Sequence, residues 1–313
     1  MVDICLLGCG GGMPMPFRSL SSTILNFKGR KILIDCGEGT QVSMKIAGTG
    51  FKDIDLICIT HCHGDHIVGL PGLLATIGNS GRIQPLTIIG PSGITEVVNG
   101  LRVIAKYLPY EINIIENPKE VKFDINKEKL ELSKENCQLI LSCLEVEHSL
   151  PCLGYSFYFK RDRRFSLEKA EENNVPKVLW NKLQKGNNEI IIYDGKTYKK
   201  EMVLGEERRG IKLSLITDTR PLKDIITFIK DSDLFICEGT YGDDADIEKA
   251  IKNKHMTFRE AALLAKEGKC KEMLLTHFSP SMIEPKEYEE NAKIIFENTI
   301  IGEDRMKKEL AFK

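Results

Sequence analysis

The sequence predicts a mixed α/β (α+β) fold: two β-sheets packed face to face, helices outside them, and one inserted arm. Three observations predict it. Short apolar strands and stretches of helical periodicity follow one another in the order strands, then helices, twice over, which suits sheet on sheet with helices covering the outer faces. Candidate metal-ligating side chains recur just past the C-terminal ends of those strands, where rigid elements aim residues from distant parts of a chain at one point. Finally, Arg161–Gly210 interrupts the order with many charges and little strand periodicity before Ile190–Tyr193.

Each element has its own signal. Ile4–Leu7, Ser22–Phe27 and Lys31–Asp35 are short apolar strands, and the Gly29-Arg30 step suits a hairpin turn between the last two. Asp55–Thr60 is a strand that runs straight into a histidine cluster. His66–Gly78 and Ile94–Tyr107 carry helical spacing of apolar residues, and Leu86–Gly90 and Ile112–Glu116 read as strands. Cys137–Glu147 and Tyr155–Lys160 are strands flanking His148. Lys212–Thr217 ends in Asp218, Asp233–Cys237 in Glu238, and Met273–Thr276 in His277. Phe258–Glu267 is a helix with Thr257 at its N-cap and Glu260 three residues on, a capping-box pattern. Pro285–Phe296 reads as a closing helix.

Composition narrows the class. The 313 residues are 42% hydrophobic and 28% charged, ordinary for one globular domain with an insertion. No stretch approaches the ~18 consecutive apolar residues of a membrane span. The N-terminus lacks a basic region followed by an apolar core, so no signal peptide is expected. Ten cysteines include no Cys-x-x-Cys pair, and several lie in apolar strands, which predicts reduced thiols and a cytoplasmic protein. The net charge of −1 does not by itself advertise nucleic-acid binding. The charge is uneven, however. Lys160–Lys212 carries fourteen Lys and Arg against nine Asp and Glu, so a basic segment sits on an acidic remainder.

Half of the six histidines stand in Thr60-His61-Cys62-His63-Gly64-Asp65-His66. Imidazole is the commonest metal ligand, and a carboxylate beside it completes a site for a divalent ion. His-x-His sets two imidazoles on one side of an extended segment, and Gly64 lets the chain turn before Asp65 and His66. A metal can bring the pKa of a water to about 7, and a pair of metals can also stabilise a leaving oxygen. Two ions need roughly seven or eight ligand atoms. The chain offers His61, His63, Asp65, His66, His148, Asp218 and His277, and Asp218 has two oxygens with which to bridge. The glycine run Gly8–Gly12 lacks the lysine and spacing of a phosphate loop and reads as a tight turn after the first strand.

These residues resemble the metallo-β-lactamase superfamily. The wider set resembles its ribonuclease Z family, endonucleases that remove 3′ trailers from precursor tRNA. The matching pieces are Leu33–Gln41, His61–His66, Val146–Ser149, Asp218-Thr219-Arg220, Glu238-Gly239-Thr240 and Leu275–Ser279, in order along nearly the whole chain. The resemblance implies a four-layer αββα sandwich and two zinc ions per subunit. One ion would be held by His61, His63 and His148, the other by Asp65, His66 and His277, with Asp218 bridging. It implies that Asp65 accepts a proton from the attacking water and that Glu238 and His255 serve the leaving 3′ oxygen. Asp35 would orient the metal ligands from behind, a common use of carboxylates near zinc.

The resemblance also implies that Arg161–Gly210 is an arm gripping tRNA far from the cut, with Arg161, Arg163 and Arg164 among its contacts. A basic segment on an acidic body suits phosphate contacts that carry no sequence information. The expected partners are precursor tRNA and a second copy of the chain, with one subunit's arm holding the tRNA cut by the other. Two departures stand out. A loop that commonly reads Pro-x-Lys-x-Arg-Asn here runs Pro14-Met15-Pro16-Phe17-Arg18-Ser19, which keeps Arg18 as a candidate contact to the tRNA end. The arm also lacks the Gly-Pro pair often found in it. The rival readings are a two-metal phosphodiesterase for small substrates, a thioester or lactam hydrolase, and a metal-stabilised RNA-binding protein that does not cut.

Overall fold

The computed structural model describes residues 1–126, 129–133, 137–186 and 190–313. Among them the chain divides into two compact units, Met1–Phe159 with Ile211–Ala311 and Lys313, and Lys160–Gly210 with Phe312.

The larger unit holds two large sheets. The first has seven strands in the spatial order Met306–Leu310, Val2–Gly8, Ser22–Phe27, Arg30–Ile34, Ile54–Cys58, Leu86–Gly90, Ile112–Glu116. The second has eight, in the order Thr299–Ile301, Met273–Thr276, Leu234–Glu238, Arg208–Ile216, Cys152–Arg161, Leu139–Val146, Glu120–Ile125, Leu130–Leu132. Most of their central strands are buried on both faces, which is why they read as continuous apolar runs. The period of two sorts their side chains. Cys5, Leu7, Leu33, Ile57 and Ile59 pack with Met44, Leu70, Leu73, Leu74, Ile94 and Val98, so helices Thr40–Ala47, Leu70–Asn79 and Ile94–Leu101 cover the outer face of the first sheet. Between the sheets the Phe27 and Phe159 rings meet at 4.9 Å, and the buried Tyr155 hydroxyl donates to Ile59 O at 2.5 Å. Helix Phe258–Glu267 packs against strands Leu234–Glu238 and Met273–Thr276 and is flanked by Lys223–Ile229 and Glu289–Lys293. Its capping box is formed, with Glu260 N donating to Thr257 Oγ1 and Thr257 N to Glu260 Oε2.

Several expected elements differ in extent. The helix expected over His66–Gly78 is two helices, Gly64–Ile67 and Leu70–Asn79. The Gly69 amide leaves the helix to donate to Cys36 O, and Pro71 opens the second helix. The helix beginning at Ile94 ends at Leu101 and tightens into a 3₁₀ turn, Arg102–Ile104. Pro285–Phe296 is a 3₁₀ turn followed by a short helix, and it does not close the chain. Two more strands follow, and Met306–Leu310 pairs antiparallel with Val2–Gly8. Its Lys307-Lys308-Glu309 core gives no apolar signal, as befits a charged edge strand.

The smaller unit has a core of its own, where Ala170, Val175, Leu179, Leu183, Tyr198 and Val203 are buried. Helix Leu167–Glu172 is N-capped by Ser166, whose hydroxyl accepts from Lys169 N at 3.2 Å. Helix Lys177–Lys185 follows. The hairpin Ile190–Tyr193 with Lys196–Lys199 turns through Asp194 and Gly195, both at positive φ. Residues 187–189 of the expected arm lie outside the described residues.

Candidate metal centre

The centre gathers at the C-terminal ends of strands from both sheets. Ile54–Cys58 delivers His61–His66, Leu139–Val146 delivers His148, Arg208–Ile216 delivers Asp218, Leu234–Glu238 ends in Glu238, and Met273–Thr276 delivers His277. Asp35, Asp218 and His277 all take the left-handed conformation, with φ of 57°, 47° and 58°. Asp and His are among the few side chains that tolerate it, and the kink turns the chain sharply as each strand ends.

The donor atoms form two groups around one carboxylate. His61 Nε2 and His148 Nε2 lie 3.0 and 3.1 Å from His63 Nδ1. His277 Nε2 lies 3.1 Å from His66 Nε2 and 3.3 Å from Asp65 Oδ2. Asp218 faces both groups, with Oδ2 3.5 Å from His61 Nε2 and 3.8 Å from His148 Nε2, and Oδ1 3.5 Å from His66 Nε2 and 3.2 Å from His277 Nε2.

Each imidazole is held from behind by its other nitrogen. His66 Nδ1 meets Asp35 Oδ2 at 2.8 Å, and His61 Nδ1 meets Thr60 Oγ1 at 3.1 Å. His63 Nε2 meets Ser149 Oγ at 3.2 Å, His148 Nδ1 meets Lys254 O at 3.3 Å, and His277 Nδ1 meets Thr240 Oγ1 at 3.1 Å. When each ring carries its proton on the outer nitrogen, the form that binds metal, the inner nitrogens present bare lone pairs to one another and to carboxylate oxygens. That crowding is repulsive without a cation between them. Metal–nitrogen bonds of about 2.0–2.1 Å in a tetrahedral site put ligand atoms about 3.3 Å apart, close to the separations seen here. The residues therefore fit divalent metal ions. The expected ligands His61, His63, Asp65, His66, His148, Asp218 and His277 all come together, and Asp35 stands directly behind His66.

Electrostatics follow the same geometry. Burial alone would raise the carboxyl of Asp218, but His277, His66 and His61 reverse that and hold it well below the usual range. Asp65 is likewise held down against its burial, by His277 and His66. Burial drives His61 down, while Asp218 and Asp35 outweigh burial at His66 and raise it.

Glu238 and His255 adjoin the two groups. His255 Nδ1 lies 3.1 Å from Glu238 Oε2, and the fully buried carboxylate also accepts from Thr219 N at 2.7 Å, Met256 N at 3.1 Å and Thr240 Oγ1 at 2.6 Å. Burial opposes a charged His255, yet Glu238 raises its pKa to about 9. Arg220 donates to His255 O and pairs with Glu260, which ties the loop to the capped helix. A cavity of about 550 Å³ opens over the centre, lined by members of both donor groups (His63, His148, Asp65 and His277) with Asp218, His255, Lys252 and Lys254.

The N-terminal loop meets the centre through backbone. Gly11 N donates to Phe278 O, and Gly12 N donates to Asp65 Oδ2 at 2.6 Å. A Cβ on Gly8 would stand 1.9 Å from Leu20 O, so the glycine run serves close approach as well as turning. The guanidinium of Arg18 is engaged by backbone carbonyls. The residue is 6% exposed and donates to Ser279 O, Met282 O and Ile283 O at 3.3, 2.9 and 3.0 Å. A guanidinium donating to three carbonyls braces the loop. Arg163 is similarly engaged within the arm, donating to Gly205 O and Leu204 O. Arg161 stacks over Phe312 at 5.8 Å, and Arg164 is exposed. Sequence reading overlooked Thr60, Ser149, Thr240 and the Lys254 carbonyl. The hydroxyls carried a weak signal, each lying within two residues of a ligand or of Glu238, whereas a backbone carbonyl carries none.

Across its full length the chain is 65% identical to the ribonuclease Z of Clostridium beijerinckii, covering 99% of that protein. The chain belongs to the ribonuclease Z family. The ribonuclease Z of Clostridium tetani is 62% identical over 98% of the chain and 97% of its own length. Residues 2–204 also match the family model described as anti-Pycsar protein Apyc1, a span that includes His61–His66 and His148 but not Asp218, His255 or His277. Among solved structures, the short form of human tRNase Z superposes with a TM-score of 0.66 at 24% identity, covering 99% of both chains. The metallo-β-lactamase fold protein YhfI of Bacillus subtilis superposes with a TM-score of 0.68 at 18% identity, covering 99% of this chain and 100% of that one. These likenesses bear on the fold, a metallo-β-lactamase sandwich. As a member of the ribonuclease Z family the chain is a metal-dependent hydrolase of the endoribonuclease type.

Proposed function

We propose that the chain removes the 3′ trailer from precursor tRNA by hydrolysing one phosphodiester and leaving a 3′-hydroxyl on the tRNA. The observation that carries this reading is the Asp218 carboxylate set between two donor groups, with the Glu238–His255 pair beside them. Two zinc ions would be held here, one by His61, His63 and His148 and one by Asp65, His66 and His277, with Asp218 between them. When bound, they supply a water of lowered pKa and offset phosphate charge. Asp65, aligned by the Gly12 amide, accepts a proton from the attacking water. His255, kept protonated by Glu238, donates to the departing 3′ oxygen. Lys252 and Lys254, at the cavity wall, suit the phosphates flanking the cut.

The unit Lys160–Gly210 is the tRNA-gripping arm in this reading, supported by its basic excess, its compactness and the exposed Arg164. We also propose a homodimer in which one subunit's arm serves the other's centre. A cytoplasmic site of action fits a tRNA substrate. Among the described residues no helix is long and apolar enough to cross a membrane.

The test is cleavage of a 3′-extended precursor tRNA by zinc-loaded protein beside an Asp65→Ala control, with the product ends mapped. A single cut after the discriminator base or just after CCA, absent in the control, is expected. Brisk hydrolysis of a small phosphodiester with no cut in the tRNA would move the substrate to the smaller class.

A further inference from the structure

The Thr240 hydroxyl contacts Glu238 Oε2 at 2.6 Å, His277 Nδ1 at 3.1 Å, His277 O at 3.2 Å and His255 Nδ1 at 3.3 Å, and it is buried. We propose that Thr240 is a positioning residue whose hydroxyl links Glu238 to His277 and fixes the ring nitrogen that His277 turns toward the metal centre.

A hydroxyl has one proton to give. Two acceptors compete for it, Glu238 Oε2 at 2.6 Å and His277 O at 3.2 Å; the carboxylate is nearer, is charged and cannot donate in return, so the proton goes there. What remains on Oγ1 is lone pairs, and these can only accept. His277 Nδ1 must therefore carry a hydrogen, which leaves His277 Nε2 bare. That nitrogen is the one facing Asp65, Asp218 and His66. If the hydroxyl were lost, a buried Nδ1–H would have no acceptor there, and the opposite tautomer, with Nδ1 bare, would cost less.

The first sheet repeats the device. Thr60 Oγ1 lies 2.9 Å from Asp35 Oδ2 and 3.1 Å from His61 Nδ1, again carboxylate, hydroxyl and imidazole in sequence. Asp35 also reaches His66 directly, so that side has a carboxylate contact to a ligand in hand. On the Glu238 side no such direct contact reaches a ligand among the described residues, and the path to His277 runs through Thr240. The same hydroxyl touches His255, so one residue sets both a metal ligand and the proposed acid.

This inference rests on the metal centre proposed above, but its test needs no RNA. Thr240→Val keeps the shape and removes the hydroxyl. Zinc affinity measured by chelator competition is expected to fall about 10–100-fold for one of the two ions. The other ion should stay within about threefold of wild type, and Thr240→Ser should restore both. A Thr240→Val protein that holds both ions as tightly as wild type would overturn the proposal. Should that variant fail to fold, nitrogen-15 histidine NMR of the zinc-loaded wild type decides. A proton on His277 Nδ1 is required, and one on Nε2 overturns the proposal. A wild type that binds no divalent ion would overturn the centre itself. Failure to cut tRNA with both ions bound would leave this inference intact.

Discussion

Gly11 lies so close to His277 that a single added carbon on it would stand 2.4 Å from the imidazole Cε1. No real Cβ contact is that short, and the ring has little freedom to retreat. Thr240 holds its Nδ1, and Phe278 beside it is pinned to Cys9 O and Gly11 N. Gly11→Ala is therefore expected to displace His277 and weaken metal binding about 10–100-fold. The measurement is zinc retained after dialysis against a weak chelator. Full retention would mean that the loop, and not the ring, gives way.

Removing charge from the bridge should strip the centre. Asp218→Asn keeps the size and suits the left-handed backbone at this position, since Asn tolerates it. It removes the negative charge that faces four imidazoles. Metal content and activity should fall together, with the far-ultraviolet circular dichroism spectrum unchanged. A variant that retains two ions and cuts RNA would show that Asp218 does not bridge. His148→Ala should behave alike on the side of His61 and His63.

His255 should separate metal from rate. His255→Ala is expected to keep both ions and lose about 10²–10⁴-fold in kcat, the usual worth of a positioned acid. Loss of an ion would instead place His255 with Asp218 and His277 as a ligand.

The same residue predicts a pH dependence. Its pKa is raised from 6.5 to about 9 in the folded, metal-free protein. The stabilisation is thus fully present below pH 6.5 and is lost as pH rises through about 9. The stability gap between metal-free wild type and His255→Ala should narrow across that window. Bound cations would push the His255 pKa down, so the alkaline fall in activity should lie at or below pH 9. A stability gap that does not change between pH 6.5 and 9 counts against the Glu238–His255 pairing.

Deleting Asp162–Arg209 and joining the flanks with a short glycine linker should weaken precursor-tRNA binding and flatten its salt dependence. Slow hydrolysis of a small chromogenic phosphodiester should survive, because the buried core of the removed unit is its own. Equal loss on both substrates would make the segment structural.

Residue order alone shows which side chains could hold metal and the layering that carries them. His61, His63, Asp65 and His66 announce themselves because ligands within six residues leave a local pattern, and doubly buried strands leave apolar runs. The charged strand Met306–Leu310 left no such trace, since an edge strand needs only backbone partners. The grouping of donors around Asp218, the bracing of Arg18 against Ser279, Met282 and Ile283, and the approach of Gly11 to His277 were decided by tertiary structure alone. Each includes a pair of residues more than 150 apart in the chain, and hydrogen-bond direction and ångström-scale clearance are properties of packed atoms, not of residue order. Thr240 is the clearest case. Its type and position are plain in the chain, but that its one proton goes to Glu238 and its lone pairs to His277 follows only once three elements have converged.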